Sequence, residues 1–301
     1  MSSRPSSQQG PLDLVKQRIV LFDGALGTML MARGLSSGEA PEKWNLDRPE
    51  VVQEIHGAYF SAGSDIVQTN TFGGNRFKLR GKGMEGDLLR INQAAVQLAR
   101  DVCPPGRFVA GDVGPSGELI APFGPHAVEE MEGVFAEQGK ILAEAGVDLI
   151  SIETMFSLEE ALAALRGIRG VTGLPIFVCM SFDLKPGGFF TLMGETPEAC
   201  VKALEENGAD VLGSNCQLGS REMVDLTREI RSWTKVPVIV QPNAGSPVQR
   251  EGRTVYEQSP EEFAEDVVRI VERGAHVIGG CCGTNPLFIK KVRQRLSNRQ
   301  E

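Results

Sequence analysis

The chain has 301 residues, 41% of them hydrophobic and 23% charged, with a formal net charge of −8. These proportions fit one large globular domain or two smaller ones, and the acidic balance argues against a nucleic-acid partner. No apolar run reaches the ~18 residues of a membrane-spanning helix, and the polar stretch Met1 to Gly10 lacks the apolar core of a signal peptide. Residues 1–12 read as a frayed tail and 13–301 as a single domain. Six cysteines without an export signal imply reduced thiols in a cytoplasm.

The first strand is read at Arg18 to Phe22, running out into Asp23-Gly24-Ala25-Leu26-Gly27-Thr28. An amphipathic helix over Pro49 to Ala62 leads to a second strand, Asp65 to Gln68, which ends in Thr69-Asn70-Thr71-Phe72-Gly73. A helix over Leu88 to Val102 precedes a third strand from Arg107, ending in Gly111-Asp112-Val113-Gly114-Pro115. The helix Val128 to Ala145 is followed by a strand, Val147 to Ile152, ending at Glu153-Thr154. Ser157-Leu158-Glu159-Glu160 is a capping box that opens the next helix. Pro175 to Met180 is the fifth strand, and Thr196-Pro197 caps a helix reaching Asn207. Ala209 to Leu212 forms the sixth strand, ending near Cys216, and Val236 to Val240 the seventh, ending at Gln241-Pro242-Asn243-Ala244-Gly245. Ser259-Pro260-Glu261-Glu262 opens another capped helix. The eighth strand contains His276 to Ile278.

A short pattern recurs along this series: Ala62-Gly63-Ser64-Asp65, Ala145-Gly146-Val147-Asp148, Gly208-Ala209-Asp210 and Gly274-Ala275-His276. A glycine that closes a helix, followed at once by an apolar run, is the αβ turn of a parallel sheet. Eight such strand–helix units predict an α/β protein, a single-domain (β/α)8 TIM barrel. The alternative is a doubly wound open sheet. That fold would carry a GxGxxG turn after the first strand, which Asp23 to Thr28 does not supply.

Barrels of this class put their chemistry at the C-terminal ends of the strands. Gly279-Gly280-Cys281-Cys282-Gly283-Thr284-Asn285-Pro286 reads as strand, glycine turn and helix start, so two adjacent cysteines stand at a strand end. Cys216, in Gly213 to Ser220, has the same setting. Three thiols so placed suggest zinc, which favours sulfur and leaves a fourth position open in catalytic sites. The competing reading of any single cysteine is a small buried hydrophobe, and Cys103, Cys179 and Cys200 are assigned to that class. Three thiolates make zinc a weak Lewis acid, better suited to holding a further thiolate than to activating water. Thiol alkylation fits better than hydrolysis. His56, His126 and His276 are read as structural.

These segments resemble the homocysteine S-methyltransferase family, most closely the homocysteine-binding module of its cobalamin-dependent members. The resemblance rests on Asp23 to Thr28, Gln68 to Gly73, Gly111 to Gly117, Glu153-Thr154, Asn215-Cys216, Pro242 to Gly245 and Gly279 to Thr284. It implies one zinc per chain on Cys216, Cys281 and Cys282, and homocysteine sulfur as the incoming ligand. Asp23 and Glu153 are implied to hold the amino-acid part, above all its ammonium. Thr28, Asn215 and Asn243 are further substrate-site candidates, the two asparagines as orienting groups.

The methyl donor is less constrained. The chain carries no Asp-x-His-x-x-Gly cobalamin motif, so methylcobalamin is expected on a separate corrinoid protein. Betaine, a quaternary ammonium, would need an aromatic cage. Only two tryptophans and two tyrosines are present, and Gly73 and Thr154 stand where betaine-using relatives carry tyrosine. Trp44 is the one residue that could still bring an indole to the mouth. S-methylmethionine and S-adenosylmethionine remain alternatives, as does a thiol-binding subunit inactive without its corrinoid partner. The segment Asp183 to Glu195 reads as an active-face loop whose Phe189 and Phe190 either meet a partner or pack.

Overall fold

A computed structural model of the chain describes residues 9–250 and 253–298. The proposed tail at 1–12 falls mostly outside them, but Pro11–Gln17 is already helical.

Eight parallel strands form one sheet: β1 (Val20–Leu21), β2 (Ile66–Gln68), β3 (Phe108–Val113), β4 (Leu149–Met155), β5 (Ile176–Met180), β6 (Val211–Gly219), β7 (Val238–Asn243) and β8 (Ala275–Ile278). Their order is β1-β8-β7-β6-β5-β4-β3-β2, so the first strand pairs with the last. An open doubly wound sheet is thereby excluded. The seam between β1 and β2 closes the ring differently. Asp65 N–H donates to Leu21 O at 2.7 Å, the Asp65 carboxylate accepts Leu21 N–H at 2.9 Å, and the Asp23 carboxylate accepts Gln68 N–H at 2.9 Å. The Asp65 carboxylate has counterparts at other strand pairs, whereas the Asp23 carboxylate at this seam stands in for a backbone carbonyl.

The outer ring is α1 (Pro49–Ala62), α2 (Leu88–Asp101), α3 (Val128–Ala145), α4 (Leu158–Arg169), α5 (Pro197–Glu206), α6 (Ser220–Trp233), α7 (Pro260–Glu272) and α8 (Pro286–Ser297). Ser157 and Ser259 both cap helix starts, their hydroxyls accepting the N–H groups of Glu160 and Glu262, but only Ser259 forms the reciprocal box; the Glu160 carboxylate turns to Ser116 instead. The strands run further than expected at their C-terminal ends, β4 through Glu153 and Thr154, β6 through Cys216 to Gly219, and β7 to Asn243. Sheet pairing carries them past the apolar residues on which the sequence boundary was drawn.

Alternate residues of each strand serve two cores. Val20, Phe22, Ile66, Phe108, Ala110, Leu149, Phe177, Cys179, Val211, Ile239 and Val277 fill the barrel interior, with Leu12, Leu14 and Val15 of the first helix packed against them. The intervening residues, such as Leu21, Val67, Ile150 and Val178, face the helices. Continuing that alternation upward, by two residues on β2, β3 and β7 and by four on β4 and β6, sets the next inward layer: Gln68, Asp112, Glu153, Asn215 and Gln241. That layer floors the functional site.

The recurring glycine–acid pattern has a physical basis at the opposite end of the barrel. Asp65, Asp148, Asp210 and His276 open the even-numbered strands and accept the backbone N–H of Leu21, Val109, Ile176 and Val238 on the odd ones. Arg293 of α8, Arg100 of α2 and Arg169 of α4 each pair with the acid and donate to the carbonyl of the helix-closing glycine. Those glycines, Gly63, Gly146 and Gly208, sit at positive φ. In the fourth repeat Arg231 stands against Gly274, but His276 offers it no negative charge.

Candidate active site

A cavity of about 520 Å³ opens at the C-terminal ends of the strands. Asp23, Thr28, Glu153, Cys216, Cys281 and Cys282 all line it.

Cys216 is held by an irregular stretch of β6. Cys216 and Gln217 adopt φ of 60° and 57°, and the register with β7 shifts between Asn215 and Gly219. Left-handed backbone at two consecutive non-glycine residues costs on the order of 1 kcal/mol or more each and persists only where surrounding structure imposes it. Cys281 and Cys282 lie in the turn between β8 and α8. Cys281 N–H donates to Pro242 O at 2.7 Å, and Ala244 N–H donates to Cys282 O at 2.9 Å. The Thr284 hydroxyl donates to Cys281 O at 2.7 Å, and Asn285 caps α8. At Gly280 a Cβ would lie 2.5 Å from Thr284 Oγ1, so the tight turn requires glycine there.

The three sulfurs lie within 4.8 Å of one another, with Cys216 Sγ 3.8 Å from Cys282 Sγ. All three cysteines are free thiols. Sulfurs bonded to one tetrahedral zinc at about 2.3 Å stand roughly 3.8 Å apart, so the residues present fit that ion. Hydrogen bonds from the Cys216 and Cys281 thiols pull the Cys282 pKa down to about 3, and Tyr256 adds a further donor. Cys281 moves up in consequence. Tyr256 was not anticipated; its ring covers Gly283, which sits at φ 83°.

Beside the sulfurs lies a buried carboxylate held by amides. Glu153 Oε2 accepts from Gln68 Nε2 at 2.9 Å, Gln241 Nε2 at 3.2 Å and Asn215 Nδ2 at 3.3 Å. Burial pushes the Glu153 pKa up to about 7 against those hydrogen bonds. Asp23 is raised by burial, and Asp112 by burial and then by the charges of Glu153 and Asp23. Asp112 Oδ1 is buried without a hydrogen-bond partner. Thr154, at φ 58°, donates its N–H to Asn215 Oδ1 at 2.7 Å and accepts from Asn215 Nδ2. Asn215, the residue before Cys216, therefore ties β6 to the strained end of β4.

Not every candidate faces the cavity. Thr28 lines it, but its hydroxyl accepts Gly283 N–H at 3.1 Å and so braces the cysteine turn. Asn243 is buried at the end of β7 outside the lining, with Oδ1 unpartnered. Phe189 is buried and packs in the main core, and Phe190 is half-buried. Trp44 is also buried, with its indole N–H on Glu39 and Arg48 over its ring. Gln68 and Gln241 were missed among the strand-end polar residues. The signal available for them was the two-residue alternation that also selects Glu153.

Fold and site define a (β/α)8 barrel enzyme with a thiol centre at its catalytic face. Residues 20–296 match the family model of homocysteine S-methyltransferases. The methionine synthases of Mycobacterium tuberculosis and Mycobacterium leprae are 32% and 31% identical to this chain over 95% and 93% of its length. The chain spans about a quarter of the length of these relatives. Crystal structures of the homocysteine methyltransferase MmuM from Escherichia coli share the fold. The metallated form superposes with a TM-score of 0.78 at 24% identity, covering 94% of this chain and 98% of that one. The chain belongs to the homocysteine S-methyltransferase family, which places it among the methyltransferases.

Proposed function

We propose that this chain transfers a methyl group to the thiol of homocysteine, giving methionine, with one zinc ion held by Cys216, Cys281 and Cys282. The observation that carries the reading is the three-sulfur cluster beside the amide-held Glu153 in one cavity. Zinc bound there supplies a place for a fourth sulfur and keeps that sulfur deprotonated at neutral pH.

The chain's own residues do the rest. Glu153 and Asp23 receive the substrate ammonium, and the amides on Glu153 Oε2 fix the carboxylate in the cavity wall. An ammonium beside Glu153 supplies the counter-charge that burial withholds and favours the ionised carboxylate. The thiolate attacks the methyl carbon. A carbon–sulfur bond forms, and the donor keeps the electron pair of the bond it loses.

We assign the donor as methylcobalamin carried by a separate corrinoid protein or domain. A corrinoid does not fit a barrel filled by side chains and must dock over the open face. Several residues in segments following β1, β3 and β5 support such docking: Met31, Phe123, Leu184 and Leu192 are large, apolar and exposed. A quaternary ammonium donor is disfavoured, because Phe72 is the one aromatic side chain among the cavity-lining residues.

Methyl transfer to homocysteine tests the whole assignment. The isolated chain should purify without cobalamin and methylate homocysteine slowly from free methylcobalamin, and faster from a methylated corrinoid protein. Efficient turnover with S-methylmethionine or S-adenosylmethionine, and none with methylcobalamin in either form, would overturn the donor and leave the thiol chemistry standing.

A further inference from the structure

The base of the barrel, at the end opposite the thiol centre, carries more positive charge than its repeats require. Asp148 and Asp210 each meet one arginine, Arg100 and Arg169. Asp65 meets three: Arg18, Arg107 and Arg293. No second carboxylate pairs with any of these three among the described residues. One carboxylate among three guanidinium groups leaves two positive charges without a partner.

The backbone brings them together. Arg18 lies two residues before β1, Asp65 opens β2, and Arg107 directly precedes β3. Ile66 and Phe108 are register partners, which sets Asp65 opposite Arg107. Arg293 reaches in from α8, where Gly63 O accepts its Nε at 3.1 Å and its Nη2 at 2.6 Å. Arg18 is bidentate, with Nη1 on Asp65 Oδ2 at 2.8 Å and Nη2 on Oδ1 at 2.9 Å. Arg107 meets Asp65 through Nη1 alone. Its Nε and Nη2 make no hydrogen bond among the described residues, so one guanidinium fork keeps free donors.

The three arginines also crowd one another. Burial, and then the charge of Arg18, holds the Arg293 pKa down at about 10. Arg107 is lowered by burial and then by Arg293 and Arg18. An anion beside the group relieves such repulsion. Access is open: the side chains of Arg18, Arg107 and Arg293 keep 35%, 32% and 29% of their surface exposed, while Asp65 is wholly buried beneath them. An anion therefore reaches the guanidinium groups from solvent without displacing the carboxylate. Planar forks with free N–H donors suit the oxygens of a tetrahedral oxyanion, and an excess of two charges suits a dianion.

We infer that Arg18, Arg107 and Arg293 form an anion site at the base of the barrel, taking a phosphate group as the free ion or as a small monoester. Asp65 gathers the three forks without neutralising them. The site lies at the β1–β2 seam, and its arginines come from the segments leading into β1 and β3 and from α8. A phosphate bound there ties these three pieces of chain together.

Calorimetric titration of the zinc-loaded chain with potassium phosphate at fixed ionic strength tests the site. Wild type should take up one phosphate per chain, and chloride should not reproduce the heat. Arg107→Gln should weaken phosphate binding by at least about tenfold, the loss of a charge-assisted contact. Arg107→Lys should fall between the two. Arg18→Gln should weaken binding likewise, which keeps the site testable if circular dichroism shows one variant to be misfolded. Arg169→Gln, at a one-to-one pair, should bind phosphate as wild type does. Glycerol 3-phosphate identifies the source: tighter binding than phosphate marks an esterified ligand, and equal or weaker binding marks the free ion. The site is overturned if wild type gives no heat with either ligand. It is equally overturned if phosphate affinity is unchanged in Arg107→Gln and Arg18→Gln, or if Arg169→Gln weakens it as much as they do.

Discussion

The Thr28 hydroxyl accepts the backbone N–H of Gly283 at 3.1 Å, joining the turn after β1 to the turn that carries two of the three cysteines. The two residues are 255 positions apart, and the contact exists because β1 and β8 are neighbours in the closed ring. Thr284 completes the brace, with Oγ1 accepting Ala25 N–H at 3.1 Å. Thr28→Val removes the acceptor at nearly constant volume. The expected loss is about 1 kcal/mol of stability, with zinc released at lower chelator concentration than from wild type. A chelator titration followed by metal analysis measures it.

Zinc should bind at one ion per chain, and Cys216→Ala, Cys281→Ala and Cys282→Ala should each lose it. The variants should stay folded, because the two hydrophobic layers of the barrel do not depend on the cysteine turn. Elemental analysis beside circular dichroism separates the two effects. Wild-type zinc content in all three variants would remove the assignment.

Glu153→Gln should weaken homocysteine binding by on the order of 1.5–3 kcal/mol with zinc retained. A pH signature accompanies it. Burial raises the Glu153 pKa from 4.5 to about 7, so the folded state holds that proton more tightly than the unfolded state. The stability this contributes is full below pH 4.5 and is lost as pH rises through about 7. In metal-free protein the melting temperature of Glu153→Gln should therefore gain on that of wild type between pH 5 and 8. The gain is on the order of 2–3 kcal/mol at the alkaline end. A difference that does not change with pH would show that Glu153 is ionised throughout.

His276 occupies the place of Asp65, Asp148 and Asp210 in the fourth glycine–acid repeat. His276→Asp should keep the acceptor for Val238 N–H, which His276 Nδ1 now receives at 3.2 Å. It should also add an ion pair with Arg231, worth about 0.5 kcal/mol at a half-exposed position. By contrast, Asp65→Asn leaves Arg18 and Arg293 beside a neutral group and removes a buried acceptor. Its cost should be about 3 kcal/mol or more. Thermal melts of the two variants should move in opposite directions.

Much of this could be read directly from the chain. Helix-closing glycines, capping boxes and apolar runs are local signals, and eight of them in series specify a barrel because each unit must bury its strand against the next. The cysteines were legible for a related reason. Glycines packed around Cys281 and Cys282 mark a turn too tight for side chains, and a closed barrel carries its strand ends to a common mouth.

What the linear order could not supply was the pairing of those ends. Thr28 and Asn243 share the motifs of the site, yet one braces a loop and the other lies outside the cavity lining. Phe189 looks like a docking residue and is buried in the main core. Gln68 and Gln241 are unremarkable in their own segments. They acquire roles only where β2, β4 and β7 converge on Glu153. Those contacts to Glu153 join residues 85 positions apart for Gln68 and 88 for Gln241. Their geometry is set by the twist and closure of the whole ring, and no local stretch of sequence contains it.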